Sequence, residues 1–363
     1  MSDRFAPEPS FHHGQSSKIG ILWCNLGTPI APTAKALRQY LGEFLSDPRV
    51  VEIPRLIWMP ILHGIILRIR PAKSAAKYAS IWTQDGSPLL SGTLKQAASL
   101  QSHFDPNQVM VRAAMRYGSP SVAQVLDEMR AQGVTRLLVL SAYPQYSATT
   151  TASVWDAVSS WMCGHRNLPE MRWVKHYHDH PGYISALAHR VKAHWNQLGR
   201  QAHLVMSFHG VPQRTLELGD PYHCECHKTG RLLAEALGLS RDEYTVTFQS
   251  RFGKAKWLEP YTEPTVQLLA EKGHQSLDVI CPGFVCDCLE TLEEIAMEVR
   301  SAFIQSGGKD FGYIECLNDD PNWITALAQI AQVHLGGWPL NQAPDTEALK
   351  SQRELALALG AEQ

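Results

Sequence analysis

The sequence carries one pattern twice, and that repeat constrains the fold more than any other feature. An apolar run at residues 19–24 breaks into Asn25-Leu26-Gly27-Thr28-Pro29, and a second at 204–207 breaks into Phe208-His209-Gly210-Val211-Pro212. Glycine accepts positive φ and proline cannot continue a central strand, so each run reads as a buried strand stopped by a turn. Further on, 109–115 leads into Arg116-Tyr117-Gly118-Ser119-Pro120, and 244–250 leads into Arg251-Phe252-Gly253 with Glu263-Pro264 beyond. A helical stretch closing on Gly133 or Gly273 follows in each half. The next strands, 136–142 and 277–281, end at Tyr143-Pro144-Gln145-Tyr146 and Pro282-Gly283-Phe284. Strands alternating with helices through short loops make parallel βαβ units covered on both faces. The predicted class is α/β, with two similar doubly wound, Rossmann-like domains related by the repeat. The expected boundaries are a disordered arm at 1–17, domains at 18–170 and 171–317, and a helical extension at 318–363 packing back on them.

Two such domains face one another across a cleft lined by the paired turns, and interfaces of this kind are preferred ligand sites. Ligands of open α/β sheets bind beyond the carboxyl ends of the strands, which is where His209 stands. An imidazole there titrates near neutral pH and can take a proton or bind a metal. The second domain also carries an acidic row. On an α-helix Glu290, Glu294 and Glu298 share one face, about 6 Å apart along the axis, and no Lys or Arg stands at i+4 to pair with them. Such a row is either the solvated side of an amphipathic helix or a set of cleft carboxylates. In a cleft, repulsion and desolvation raise their pKa values, so they hold protons or attract a divalent cation. Arg116, Tyr117, Tyr143, Tyr146, Trp257 and Tyr261 fall at the expected rims. Apolar walls with arginine anchors suit a large flat ligand bearing carboxylates.

Charge and composition exclude several classes. A net charge of −2 over 363 residues shows no basic excess for nucleic acid. Residues 1–17 are polar and do not read as a secretory signal. No run reaches the ~18 to 20 apolar residues that span a bilayer. The nearest, 56–67 (LIWMPILHGIIL), is flanked by Arg55, Arg68 and Arg70. It reads either as a lip touching a membrane surface or an apolar ligand, or as a buried core helix. Eight cysteines without a signal fit thiols in a reducing cytoplasm. In His223-Cys224-Glu225-Cys226-His227 the ligand types alternate, unlike a zinc knuckle, so a polar loop is expected there and a structural metal is the alternative. There is no Gly-x-Gly-x-x-Gly at the first strand end, no P-loop, no Gly-x-Ser-x-Gly and no His-Glu-x-x-His.

Over nearly its whole length the sequence resembles the ferrochelatases, which insert ferrous iron into a porphyrin to make haem. The resemblance rests on Met115-Arg116-Tyr117, Tyr143-Pro144-Gln145-Tyr146-Ser147 with Thr149-Thr150, and Ser207-Phe208-His209-Gly210-Val211-Pro212. It continues through Gly219-Asp220-Pro221-Tyr222, Phe248-Gln249-Ser250-Arg251-Phe252-Gly253, Trp257-Leu258 and Leu289-Glu290-Thr291-Leu292-Glu293-Glu294. It implies two doubly wound domains, with His209 and Glu290 as the catalytic and metal-contacting pair and Glu294 and Glu298 as a proton or metal relay. Arg116, Tyr117, Tyr143, Tyr146 and Trp257 become candidate porphyrin contacts. Protoporphyrin IX and Fe²⁺ are the implied substrates, with no permanently bound cofactor and no nucleic-acid partner. The implied location is the cytoplasm, with peripheral contact with the inner membrane as one reading of the lip. Members with a [2Fe–2S] cluster place one cysteine after Tyr-Pro-Gln-Tyr-Ser and three near the C-terminus. Here those places hold Ala148 and a tail after Cys316 without cysteine, so no such cluster is expected. Competing readings are a chelatase using cobalt or coproporphyrin, and a non-enzymatic haem or metal carrier.

Overall fold

A computed structural model describes residues 5–199, 202–253, 255–340 and 345–362. The first half runs β1 Lys18–Gly27, α1 Ala34–Ser46, α2 Arg55–Ile61, a π-helical turn Leu62–Ile66, α3 Leu67–Ile81, α4 Pro88–Gln101, β2 Val109–Tyr117, α5 Val122–Ala131 and β3 Val134–Ser141. A second π-helical turn, Ala148–Ala152, leads into α6 Ser153–Met162, β4 Glu170–Val174 and α7 Pro181–Leu198. The second half runs β5 His203–His209, α8 Gln213–Glu217, α9 Tyr222–Leu237, β6 Tyr244–Gln249, α10 Thr262–Glu271 and β7 Ser276–Ile280. A π-helix Glu290–Val299, α11 Arg300–Gln305, β8 Asp310–Ile314, α12 Pro321–Leu335 and α13 Thr346–Ala358 complete it.

The strands form two wholly parallel four-stranded sheets, ordered β2-β1-β3-β4 and β6-β5-β7-β8. Each half therefore has the same winding, and the α/β class with two Rossmann-like units stands as expected. In this order the chain leaves the first strand of each sheet toward one edge and returns on its other side. The crevice between β1 and β3, or β5 and β7, is then the natural ligand position. Burial follows the strands: β1 is buried from Ile19 to Asn25, as a central parallel strand covered on both faces must be.

The repeat register differs from the sequence reading at one point. Met115 donates its N–H to Pro120 O at 2.7 Å, and Phe248 donates to Pro260 O at 2.8 Å. Pro260, not Pro264, is thus the counterpart of Pro120, and α10 starts just beyond it as α5 does beyond Pro120. The second copy carries a longer loop after its strand, and that loop holds Phe252 and Trp257. The first-strand turns do correspond. Gly27 has φ +120 and a Cβ there would overlap the Tyr117 carbonyl oxygen, while a Cβ on Gly210 would stand 2.6 Å from Gln249 O. Both glycines permit a close backbone approach that no side chain allows.

The halves share a core, in which Trp23 of β1 packs against Trp323 of α12 at 6.4 Å between ring centroids. Gln96 of α4 is fully buried and joins them: it accepts from Trp23 Nε1 (3.1 Å) and donates to Val285 O (2.8 Å) and Asn318 O (2.7 Å). Strand β4 pairs with β3 over Arg136–Leu140, so the boundary expected at 170/171 cuts a strand of the first sheet. Backbone pairing, which composition does not reveal, assigns 171–174 to that sheet. Within the arm expected to be disordered, residues 5–17 form no helix or regular strand but are tied to the first domain. Ala6 donates to Gly164 O at 2.8 Å, and Glu8 pairs with Arg130 and accepts from the Arg166 and Asn167 amides.

Candidate active site

The first candidate sits where the winding rule puts it. His209 is the last residue of β5, half-buried, and its Nδ1 lies 2.6 Å from Gly210 O. A carbonyl can only accept, so Nδ1 carries the proton and Nε2 presents a lone pair. The Phe284 ring, on the turn after β7, flanks the imidazole at 6.4 Å.

The acids lie on the segment launched from that turn. The row is not α-helical: Glu290–Val299 is a π-helix, which has more residues per turn and recurs at functional sites. Its wider turn overturns the simple four-residue stack. Residues five apart, on nearly opposite sides of an α-helix, become neighbours here, and Lys77 of α3 grips Glu293 at 3.0 Å and Glu298 at 2.8 Å. The cation missing from the local sequence is thus supplied by the other domain. Glu298 is exposed at the outer end, while Glu290 and Glu294 face inward.

Glu294 is held by a bracket. Ser250 has φ +64, an uncommon conformation for a residue with a side chain, and its N–H donates to Glu294 Oε1 at 2.7 Å while its hydroxyl donates to Oε2. Gln249 Nε2 donates to Glu290 O at 2.8 Å and to Glu294 Oε2 at 3.3 Å, and its Oε1 accepts from Ser207 Oγ at 2.8 Å. Burial pushes the Glu294 carboxyl above its ordinary range, and nearby Glu290 adds to this, while Ser250 and the field of His209 oppose it. The Glu293 carboxyl is likewise raised by burial, against the pull of Lys77.

The opposite wall comes from the first domain. The charge of Glu290 acts on Tyr40 of α1 and on Arg70 and Tyr78 of α3, and its carboxyl hydrogen-bonds Cys288. Desolvation raises both tyrosine hydroxyls and lowers Arg70. Arg70 also stacks on Phe252 at 4.8 Å, across the two domains. Tyr143 joins this wall, donating from its hydroxyl to Asn25 Oδ1 at 3.1 Å with Tyr40 and Cys288 nearby. Trp257 packs over Gly210, where a Cβ would meet its ring at 3.2 Å, beside the His209 turn.

Other expected rim residues are engaged elsewhere. Tyr117 is only 2% exposed and donates its hydroxyl to Asp47 Oδ2 at 2.7 Å. Arg116 pairs with the same carboxylate at 2.6 Å, so it is a structural cation rather than a free anchor. Spacing could not reveal this, because Asp47 lies far away in sequence. Tyr146 lies under Lys175 at 5.1 Å, its amide donating to Glu225 Oε2 at 2.7 Å, and Tyr261 sits under Arg251 at the start of α10. The run 223–227 is no polar loop but the first turns of α9, with Cys224 exposed and Cys226 buried. The two thiols point to different faces, as residues two apart on a helix must. Sequence reasoning missed Tyr40, Tyr78 and Lys77, which carry no local signature, and it named Arg70 only as a flank of the apolar stretch. Gln249 and Ser250 stood inside a quoted motif but were given no role.

The stretch 56–67 divides by face. Trp58, Leu62 and Leu67 are buried, whereas Leu56, Ile57, Ile61 and Ile65 are exposed, Leu56 by 93%. A wholly buried helix is therefore ruled out. Among the described residues no helix is long and apolar enough to cross a membrane.

Known proteins resemble this chain at two levels. The family model described as Ferrochelatase matches residues 18–335. A curated protein named Ferrochelatase from a Polaromonas species is 65% identical over 363 residues, covering 98% of this chain and 99% of its own. Another from Methylibium petroleiphilum is 61% identical over 361 residues, with 99% of each covered. Among solved structures, SirB from Bacillus subtilis, determined with Fe³⁺, is similar with a TM-score of 0.53 and 13% identity, covering 88% of this chain and 96% of that one. At that identity the likeness concerns the fold.

Proposed function

This chain belongs to the ferrochelatase family, and on that premise we propose that it inserts ferrous iron into protoporphyrin IX to form protohaem, the terminal step of haem synthesis, between its two domains. That it is an iron-inserting enzyme of haem synthesis follows from membership. The choice of ring, the residue roles and the mechanism are our reading.

The observation that carries the reading is the pairing of one free imidazole lone pair with two inward carboxylates. A free-base porphyrin must shed two pyrrole protons as the metal enters. His209 Nε2 accepts them one at a time as general base, passing the first on to the carboxylates before it takes the second, since Nδ1 is already committed to Gly210 O. Glu290 faces the same space, contacts the incoming Fe²⁺ and hands protons to Glu294, whose raised affinity for a proton suits a relay. Glu298, held by Lys77 at the exposed end, is the exit toward solvent. Tyr143 and Trp257, with Tyr40 and Tyr78, supply the flat walls, and Arg70 supplies a cation for a ring carboxylate. These walls hold the macrocycle out of plane so that nitrogen lone pairs meet the metal. No resident cofactor enters this scheme. The exposed face of α2 and α3, with Arg55 and Arg68 beside it, makes peripheral contact with the inner membrane from the cytoplasm.

The test is turnover of protoporphyrin IX with Fe²⁺, or Zn²⁺ as a surrogate, followed by porphyrin fluorescence, with coproporphyrin and Co²⁺ as comparison arms. His209→Ala and Glu290→Gln should each lower kcat by about 100-fold or more while the circular dichroism is unchanged. Full turnover in both variants rejects the assignment.

A further inference from the structure

Outside the active site, three potential metal ligands converge where the first sheet meets α9. His176 and His178 lie on the loop after β4, and Glu225 lies in the first turn of α9. His176 Nδ1 is 2.7 Å from Glu225 Oε1, His178 Nδ1 is 3.4 Å from Glu225 Oε2, and the candidate ligand atoms all fall within 4.8 Å of one another. We propose that His176, His178 and Glu225 bind a divalent transition-metal ion that fastens the β4–α7 loop to α9.

Four observations support this. First, His178 is only 5% exposed, and its Nδ1 has no hydrogen-bond partner although it faces a carboxylate. Its Nδ1 stands 3.4 Å from Glu225 Oε2 without a hydrogen bond, and a buried polar atom left unpaired is costly. A cation between them satisfies both. Second, Glu225 is buried and already oriented, because its Oε2 accepts the Tyr146 amide at 2.7 Å. Third, His176 is exposed, which gives an ion a way in. Fourth, two imidazoles and one carboxylate suit zinc-like or iron-like ions rather than Mg²⁺ or Ca²⁺. In a tetrahedral site, ligand atoms about 2.0–2.1 Å from the metal stand about 3.3–3.4 Å apart, so a pair at 4.8 Å closes by about 1.4 Å and the His176–Glu225 pair, hydrogen-bonded at 2.7 Å, opens by about 0.6 Å.

The site is distinct from His209 and Glu290, and its existence does not depend on the roles proposed for them. Zn²⁺ binding is measured by isothermal titration on wild type, on a His176→Asn/His178→Asn double variant and on His209→Ala. Co²⁺ visible absorption serves as a second readout. Wild type and His209→Ala should both hold the ion, and the double variant should lose this one equivalent of Zn²⁺, its affinity there falling about 100-fold or more, while uptake at the His209–Glu290 site is unchanged. Zn²⁺ should also raise the melting temperature of His209→Ala, and this rise should vanish when His176→Asn and His178→Asn are added to that variant. Equal Zn²⁺ affinity and stoichiometry in wild type and double variant overturn the proposal. If the double variant does not fold, His176→Asn alone decides, because that ring is exposed: weakened binding supports the site and unchanged binding rejects it.

Discussion

Replacing Gln96 by leucine tests how the two domains are held at their working separation. The side chain is fully buried on α4 and spans the halves, from Trp23 Nε1 to the carbonyls of Val285 and Asn318. Leucine has a similar bulk and none of these bonds. Val285 O keeps a second donor, the Asn318 amide at 2.9 Å, so it is not stranded. The Trp23 N–H and the Asn318 carbonyl lose the Gln96 bond. Each buried polar group left unpaired costs about 1–3 kcal/mol, a total of about 2–6 kcal/mol. Leucine's own burial returns about 1–2 kcal/mol, leaving a loss centred on about 2.5 kcal/mol within a span of about 0–5 kcal/mol. Urea unfolding followed by tryptophan fluorescence should show this as a lower midpoint with little change in slope. The porphyrin KM should rise as well, because each half keeps its residues while their spacing loosens. A midpoint shift worth less than about 0.5 kcal/mol, the size of an ordinary surface substitution, refutes the reasoning.

Three further outcomes are expected. The Glu294 carboxyl is raised by burial above its unfolded value of 4.5, so its contribution to stability is fully present below that value and is lost as pH rises through the folded pKa. The stability of wild type relative to Glu294→Gln should therefore fall from pH 4 toward pH 7, and parallel curves in urea titrations at each pH would contradict the shift. Gly27→Ala places a Cβ against the Tyr117 carbonyl at φ +120, so the melting curve should report a loss of about 3 kcal/mol or more, and a wild-type midpoint refutes the close approach. Leu56→Glu with Ile57→Glu puts charges on the exposed lip, and co-sedimentation with anionic liposomes should drop while turnover of soluble porphyrin persists. Equal sedimentation removes the membrane contact from the proposed function.

Much of the fold is legible in the sequence. The repeat gave two βαβ windings, and the strand ending at His209 placed an imidazole beyond a sheet edge, because strand periodicity and glycine–proline turns are written locally. The same local signals failed at Arg116 and Tyr117. Their motif is plain in sequence, but Asp47 and Ser153 claim them from elsewhere in the chain. They failed again at 223–227, where an alternating His/Cys run is a helix whose Glu225 meets histidines on another loop.

The sequence alone determined the fold class and the repeat, and it singled out the candidate histidine and acids, because each depends on neighbours within a few residues. Only the tertiary structure decided how those acids are arranged. The π-helical winding of Glu290–Val299 sets Glu293 and Glu298 side by side, and Lys77, far away in the chain, balances them. Glu290 and Glu294 are left facing inward between two domains. A helix's exact winding and the charge across an interface are set by packing between distant segments, and no window of local sequence contains that packing.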